Sequence, residues 1–267
     1  MAAILGRVVA GILLFVTVGC SASTSRVVTV NGHELHLVCG GQGPTVIFEA
    51  GIGGDHSLWP IAERIRDHAY ACVYDRPGNG DSPIASDRPA TARGDVADLH
   101  ALLEVAHIPI PAVVVGHSYG GLIAWMEAVE HPADVAGLIL VEASHPQDLV
   151  RLEAVMTDDQ RRTFEQGLAN AKVAFTASLK QAAAENGSLP DVPLTVIAAT
   201  HSMTPWCAKG LPCAQMDAIH LELQADYASL RPDGRLVQAA TGHAVQDEDP
   251  DLVVREILRL VASLPRP

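Results

Sequence analysis

A serine at position 118 stands between two glycines, in the run Gly-His-Ser-Tyr-Gly over residues 116–120. The apolar, mostly β-branched residues 112–115 predict a buried parallel strand, and an apolar helical pattern follows from Tyr119. A serine on so sharp a strand-to-helix turn has an exposed hydroxyl, and its flanking glycines let the two backbones approach each other. The pattern therefore predicts that Ser118 is a catalytic nucleophile.

A serine hydroxyl is a weak nucleophile until a base takes its proton. His243 fits this role because it follows directly on the last predicted strand, and the base in turn needs a carboxylate that fixes its tautomer. Glu142 is the favoured acid because it ends the strand that follows the serine unit, whereas the loop over residues 200–206 contains no acid. Asp217, which lies inside a predicted helix, and Asp226 remain the alternatives.

Acyl chemistry at a serine also needs two backbone N–H groups that face the developing oxyanion. Tyr119, directly after the nucleophile, is expected to supply one of them. The other is expected from Ile52, in the loop after the third predicted strand, where Gly51, Gly53 and Gly54 let the backbone turn inward. The alternative for this loop is a tight turn without a catalytic role.

The elements that position these residues alternate between strands and helices. An Asn-Gly turn at Asn31 and Gly32 predicts that the first two strands form a hairpin. Strands are predicted at residues 26–30, 34–38, 45–48, 71–74, 112–115, 135–141, 193–199 and 235–239. Such alternation indicates an α/β fold, with an eight-stranded, mostly parallel sheet and helices on both faces. Residues 23–267 are expected to form one domain, in which a polar helical stretch at about 147–190 forms a lid with two candidate helices.

Composition sets further limits on function. The chain has 267 residues, of which 48% are hydrophobic and 18% are charged, and its formal net charge is −13. Such a chain is long enough for one large core, and its acidic surface argues against nucleic acid or anionic lipid as a partner.

The first 22 residues have the pattern of a targeting segment. Arg7 provides a positive charge, residues 8–18 form an apolar stretch too short to span a bilayer, and small residues lead to Cys20. Gly19-Cys20 resembles a bacterial lipobox, so lipidation of Cys20 and anchoring of the protein to the cell envelope are expected. Secretion after cleavage near Ala22 and an uncleaved anchor are the alternatives, and each of the three implies export.

Export permits disulfide bonds, and four cysteines follow Cys20. Cys207 and Cys213 bracket a short loop, whereas Cys39 lies at the end of one predicted strand and Cys72 lies early in another. Four cysteines allow three connectivities, of which Cys39–Cys72 with Cys207–Cys213 is favoured. Four buried thiols are the alternative, and no cysteine spacing is typical of a zinc site.

The chain resembles the α/β-hydrolase fold family over about residues 26–264. The resemblance rests on the serine turn, on Gly242-His243 near the C-terminus and on the run Asp-Arg-Pro-Gly-Asn-Gly-Asp-Ser at 75–82. In that family the second and fourth strands lie antiparallel, which supports pairing Cys39 with Cys72. The chain departs from the family in having Ala50-Gly51 where many members have His-Gly. The nucleophilic serine also disfavours the dehalogenases and epoxide hydrolases of the family, which use Asp.

Taken together, the residues and the resemblance predict a serine hydrolase of the carboxylesterase type that cleaves a small-molecule ester through an acyl-enzyme. An exported aminopeptidase or thioesterase with the same triad, and a catalytically silent binding module, are the alternatives. The resemblance implies neither a metal nor an organic cofactor. Because aromatic residues make up only 4% of the chain, an aliphatic pocket is expected. Substrate identity and oligomeric state stay open.

Overall fold

A computed structural model describes residues 23–53, 57–85, 90–169 and 173–265. The predicted targeting segment, with Cys20, lies outside these residues. Eight strands form one sheet: β1 (Thr24–Val30), β2 (His33–Gly41), β3 (Thr45–Glu49), β4 (Tyr70–Tyr74), β5 (Ala112–His117), β6 (Val135–Val141), β7 (Leu194–Ala199) and β8 (Arg235–Ala239). All eight strands lie within about three residues of their predicted positions.

Ten α-helices connect the strands in the described part of the chain. They are α1 (Trp59–Ile65), α2 (Ala92–Val105), α3 (Tyr119–Glu130), α4 (Asp148–Glu153), α5 (Asp158–Ala169), α6 (Phe175–Ala183), α7 (Thr204–Cys207), α8 (Cys213–Ser229), α9 (Val245–Glu248) and α10 (Pro250–Ser263). A short 3₁₀ turn at Pro132–Asp134 leads from α3 into β6. The stretch predicted as a lid contains three helices, α4 to α6, rather than two. None of the described helices is long and apolar enough to span a membrane.

The strand order across the sheet is β1-β2-β4-β3-β5-β6-β7-β8. β2 is antiparallel to both β1 and β4, and the remaining neighbours are parallel. The predicted eight-stranded, mostly parallel sheet is therefore confirmed. Because β5, β6, β7 and β8 run in the same direction, the residues that follow them all lie at one edge of the sheet.

Side chains of β5 alternate between two hydrophobic cores. Val114 packs into the core that contains Leu99 of α2 and Leu122 of α3. Val113 lies in the core on the opposite face, with residues of α1 and α10. Strand residues buried on both sides explain the uninterrupted apolar run before the serine turn. Helices cover both faces of the sheet, as predicted.

The hairpin turn and both disulfide bonds lie where the sequence predicts them. Asn31 and Gly32 have φ angles of 50° and 83°, which is the left-handed conformation that a two-residue hairpin turn requires. Cys39 lies directly opposite Cys72 in the antiparallel β2–β4 pair, with a Cα–Cα distance of 4.1 Å, and the two are bonded. Cys207 and Cys213 form the second disulfide, which closes the loop between α7 and α8.

Candidate active site

Ser118 occupies a one-residue turn between β5 and α3. Its φ of 54° and ψ of −122° are strained for a residue with a side chain, so the surrounding structure must hold it in place. A Cβ at Gly116 would overlap the carbonyl oxygen of Gly120, and a Cβ at Gly120 would overlap that of Glu49. Only glycine therefore allows the strand, the helix and the end of β3 to approach this closely.

His243 lies in the loop after β8 and faces this turn. Its Nε2 lies 2.9 Å from Ser118 Oγ, and its Nδ1 lies 3.2 Å from Oε2 of Glu142 at the end of β6. A carboxylate can only accept, so Nδ1 carries the proton and Nε2 is free to accept the serine proton. The structure thus brings Ser118, His243 and Glu142 into one hydrogen-bonded chain.

Glu142 is fully buried, and its φ of 50° turns its side chain towards His243. Its Oε1 accepts from the backbone N–H of Ala199 at 2.6 Å and from Nε2 of His220 at 3.0 Å, and its Oε2 accepts from Ser202 Oγ. Burial alone would raise the pKa of Glu142. The hydrogen bonds and charges of the two histidines outweigh burial and hold this pKa well below its usual range.

The two alternative acids make other contacts. Asp217 Oδ1 accepts from the backbone N–H of Met203 at 2.7 Å, and Asp226 Oδ2 lies 3.2 Å from Nε2 of His145. Among the described residues neither of these carboxylates is hydrogen-bonded to His243. The geometry therefore favours Glu142 over both.

Sequence reasoning did not find two partners of Glu142. His220 is buried on α8, where burial lowers its pKa but the hydrogen bond and charge of Glu142 outweigh this and raise it. Ser202 follows β7, and its Oγ lies 3.2 Å from Nδ1 of His243 besides bonding to Glu142. The one feature of the sequence that could have pointed to Ser202 is its position in the loop after β7, where an acid is expected. Nothing in the sequence distinguishes His220 from the other histidines.

Arg76, which lies in the run at 75–82, is hydrogen-bonded to the loop that follows β3. Its buried guanidinium pairs with Glu49 and donates to the carbonyl oxygens of Ala50 and Gly51, at 2.6 and 2.5 Å. In a trans peptide the N–H points opposite to the preceding carbonyl. Since the Gly51 carbonyl points at Arg76, the N–H of Ile52 points away from it. Ile52 lines the same cavity as Ser118.

Tyr119 begins α3, so its N–H is among the helix N-terminal groups that have no acceptor within the helix. Its fully buried side chain donates to Asp95 Oδ2 at 3.0 Å, which anchors the first turn of the helix behind Ser118. Ile52 thus lines the same cavity as Ser118, and Tyr119 follows Ser118 directly at the start of α3.

His117, next to Ser118, is hydrogen-bonded to the loop that contains His243. Its Nε2 donates to the backbone carbonyl of His243 at 3.0 Å. Burial lowers the pKa of His117 to about 4, and the charge of His243 adds to the effect. At neutral pH His117 is therefore an uncharged hydrogen-bond donor.

A sequence model described as the alpha/beta hydrolase family matches residues 46–256. The chain belongs to this family. The match contains every residue of the hydrogen-bonded chain around Ser118, and the eight-stranded sheet described above agrees with it.

This alpha/beta hydrolase has relatives of several kinds. The uncharacterized protein YqjL of Bacillus subtilis is 26% identical over 238 residues, which cover 87% of this chain and 90% of YqjL. The pimeloyl-acyl-carrier-protein methyl ester esterase of Chromobacterium violaceum is 39% identical over 126 residues, or 43% of this chain and 47% of that esterase. The match thus spans less than half of the esterase.

Among solved structures, the enol-lactonase of Burkholderia xenovorans superposes on this hydrolase with a TM-score of 0.62. The superposition covers 89% of this chain and 100% of the lactonase, at 20% sequence identity. At that identity the similarity shows a shared fold.

The cavity of the hydrolase above Ser118 has a volume of about 560 Å³. Helices α4, α5 and α6 and the segment around α7 supply most of its apolar lining, which includes Leu149, Leu152, Phe164, Leu168, Phe175 and Trp206. Aliphatic side chains outnumber aromatic rings in this lining, as expected. Few aromatic residues are present in the chain, but folding brings two phenylalanines and one tryptophan to this one cavity.

Two groups of residues in the described part of the hydrolase have donor atoms close enough to share a metal ion. One consists of His100, His131 and Asp134, and the other of His36, Asp75 and Asp81. Neither includes a residue of the Ser118 site.

Proposed function

We propose that this alpha/beta hydrolase cleaves carboxylic esters of small molecules through an acyl-enzyme on Ser118. The observation that carries the proposal is the chain of hydrogen bonds from Ser118 Oγ through His243 to Glu142. Catalysis needs such a chain because the hydroxyl must lose its proton as it attacks. Both distances fall at or within about 3.2 Å, the reach of a hydrogen bond.

The reaction has two halves in this mechanism. Ser118 Oγ attacks the ester carbonyl while His243 Nε2 takes its proton, and the tetrahedral intermediate expels the alcohol, which receives that proton. A water molecule then attacks the acyl-enzyme with His243 as the base again, and the carboxylic acid leaves with Ser118 restored. Glu142 stabilises the imidazolium in both halves.

The backbone N–H groups of Ile52 and Tyr119 are the proposed oxyanion donors. Arg76 supports this assignment, because its hydrogen bond to the Gly51 carbonyl directs the Ile52 N–H away from the guanidinium. Donors that are fixed before the reaction stabilise the oxyanion without a reorganisation cost.

The cavity supports a substrate with an apolar acyl or alcohol group. At about 560 Å³ it is in the range of small-molecule sites, and rings and aliphatic side chains dominate its lining. The relative from Chromobacterium violaceum is named as a methyl ester esterase, which agrees with ester chemistry. We expect acyl chains of medium length to be the best substrates.

Export is part of the proposal. The sequence pattern of residues 1–22 and the two disulfides both support a location outside the cytoplasm. Mass spectrometry of the mature protein tests whether its first residue is a lipidated Cys20.

The decisive experiment measures hydrolysis of p-nitrophenyl esters from acetate to palmitate by wild type and Ser118→Ala. The matched control is Ser144→Ala, because Ser144 lines the same cavity without contributing to the hydrogen-bonded chain. We expect turnover to vanish in Ser118→Ala and to stay within about threefold of wild type in the control. A fluorophosphonate should label wild type once and Ser118→Ala not at all. Equal labelling or equal turnover in wild type and Ser118→Ala would refute the proposal.

A further inference from the structure

A second cluster of polar side chains lies at the end of α3 that is remote from Ser118. Glu127 belongs to the last turn of α3, and His131 and Asp134 lie in the turn that leads to β6. His100 reaches the cluster from α2. The twelve residues of α3 span about 18 Å, which separates this cluster from the nucleophile.

The donor atoms of the cluster lie close together. His100 Nδ1 is 2.8 Å from Asp134 Oδ2 and 3.8 Å from Glu127 Oε1. One donor atom each from His100, His131 and Asp134 lies within 4.8 Å of the others. The two imidazole rings stack with centroids 3.7 Å apart.

Glu127 is the anomaly in this cluster. Its side chain is completely buried, and neither of its oxygens has a hydrogen-bond partner among the residues that the structure describes. An isolated buried carboxylate is costly, and buried polar atoms in folded proteins are almost always satisfied. A cation between Glu127 and its neighbours would satisfy it.

We propose that His100, His131, Asp134 and Glu127 form a structural Zn²⁺ site. Two imidazole nitrogens with two carboxylate oxygens suit zinc, whereas Mg²⁺ and Ca²⁺ prefer oxygen ligands alone. A tetrahedral zinc site with bonds of about 2.1 Å places its donor atoms about 3.4 Å apart. The two distances from His100 Nδ1, 2.8 Å to Asp134 Oδ2 and 3.8 Å to Glu127 Oε1, lie on either side of that value.

Binding needs only local changes. Zn²⁺ takes the place of the proton on His100 Nδ1, which moves through solvent to Nε2 so that the ligand is a neutral imidazole, and the proton on Glu127 is released to solvent. Because an ion binds in the plane of an imidazole, the two rings must turn out of their parallel stack. The side chain of His100 is 39% exposed and has room to turn. The bound ion would tie α2 to the end of α3 and the start of β6.

The test uses the full chain, stripped with a chelator and then titrated with Zn²⁺. We expect one zinc per chain after dialysis, measured by elemental analysis. At about a hundredfold excess over its dissociation constant, Zn²⁺ should raise Tm by about 5 °C or more. Mg²⁺ and Ca²⁺ at the same concentration should leave Tm unchanged.

Two variants and a control separate this site from incidental binding to other histidines. His100→Ala and Glu127→Gln should each lose the stoichiometric zinc and the Tm shift. Glu127→Gln without metal should be about as stable as wild type, because the amide keeps the shape of a side chain that has no hydrogen bond to lose within the described part of the chain. The control is His68→Ala, since His68 is an exposed histidine outside the cluster, and it should keep both responses. Absence of bound zinc in wild type, or equal zinc and Tm shifts in all variants, would overturn the proposal.

Discussion

Arg76 offers the sharpest test of how the oxyanion site is built. Its guanidinium donates to two neighbouring carbonyls, of Ala50 and Gly51, while its charge pairs with Glu49. Arg76→Lys keeps the charge but replaces a rigid fork with a single ammonium on a flexible stem. The Gly51 carbonyl then loses its fixed direction. The Ile52 N–H loses its direction too, because it belongs to the same planar peptide.

The size of the effect follows from the value of one oxyanion donor. Complete removal of such a donor typically lowers kcat by about 10²–10³. In Arg76→Lys the N–H is still present but poorly directed, so we expect kcat to fall by about 30-fold, or about 2 kcal/mol. KM should change little, because the interaction is strongest in the transition state.

The assay is steady-state hydrolysis of the best p-nitrophenyl ester, normalised to the fraction of chains that a fluorophosphonate labels. Arg235→Lys is the matched control: Arg235 also makes a two-pronged pair, with Glu256 at 2.9 and 3.3 Å, but it does not line the cavity above Ser118. The control should keep its kcat. If Arg76→Lys lowers Tm but leaves kcat unchanged, Arg76 serves the fold alone and the proposed role is wrong.

Three further predictions concern the acid, the pH dependence of stability and the second disulfide. Glu142→Gln should lower kcat by about 10⁴, whereas Asp217→Asn, which can still accept from the Met203 N–H, should stay near wild type; the reverse order in ester assays would reassign the acid. Burial lowers the pKa of His117 from 6.5 in the unfolded chain to about 4 in the folded protein. Between pH 4 and pH 6.5 the unfolded chain therefore binds more protons than the folded protein does. The contribution of His117 to stability is complete above pH 6.5 and is lost as the pH falls towards 4. That loss amounts to about 3 kcal/mol, and His117→Asn should flatten the dependence of Tm on pH between these values; an identical slope would contradict the reasoning. Replacing Cys207 and Cys213 by serine should lower the free energy of unfolding by about 2 kcal/mol in urea titrations, as expected for a short loop, and no loss would mean that the loop is held by other contacts.

Most of the fold could be predicted from the sequence because the patterns that determine its strands and turns are local. The apolar run before Ser118 and the Asn-Gly turn at Asn31 each determine their own conformation, and the structure has both where they were predicted. Ser118, Glu142 and His243 could be grouped without a structure, since all three follow strands whose carboxyl ends meet at one edge of a parallel sheet.

The remaining site residues depend on contacts that have no local signal. His220 lies on a helix 78 residues beyond Glu142, and helical periodicity shows which face is buried but not which carboxylate that face meets. The rings of Phe164 and Trp206 meet only after α5 and α7 fold over the sheet edge. Composition could count these rings, but it could not place them.

The surroundings of Glu142 explain how a carboxylate after β6 can stay ionised and keep its hydrogen bond to His243. A carboxylate has about four acceptor positions, and here the Ala199 N–H, His220, Ser202 and His243 supply four donors. The loop after β7, where an acid was missing, contributes the hydroxyl of Ser202 instead. A carboxylate with every acceptor position occupied stays ionised and cannot rotate away from His243. These four donors offset the cost of burying its charge, and that charge in turn raises the pKa of His220, against the effect of burial.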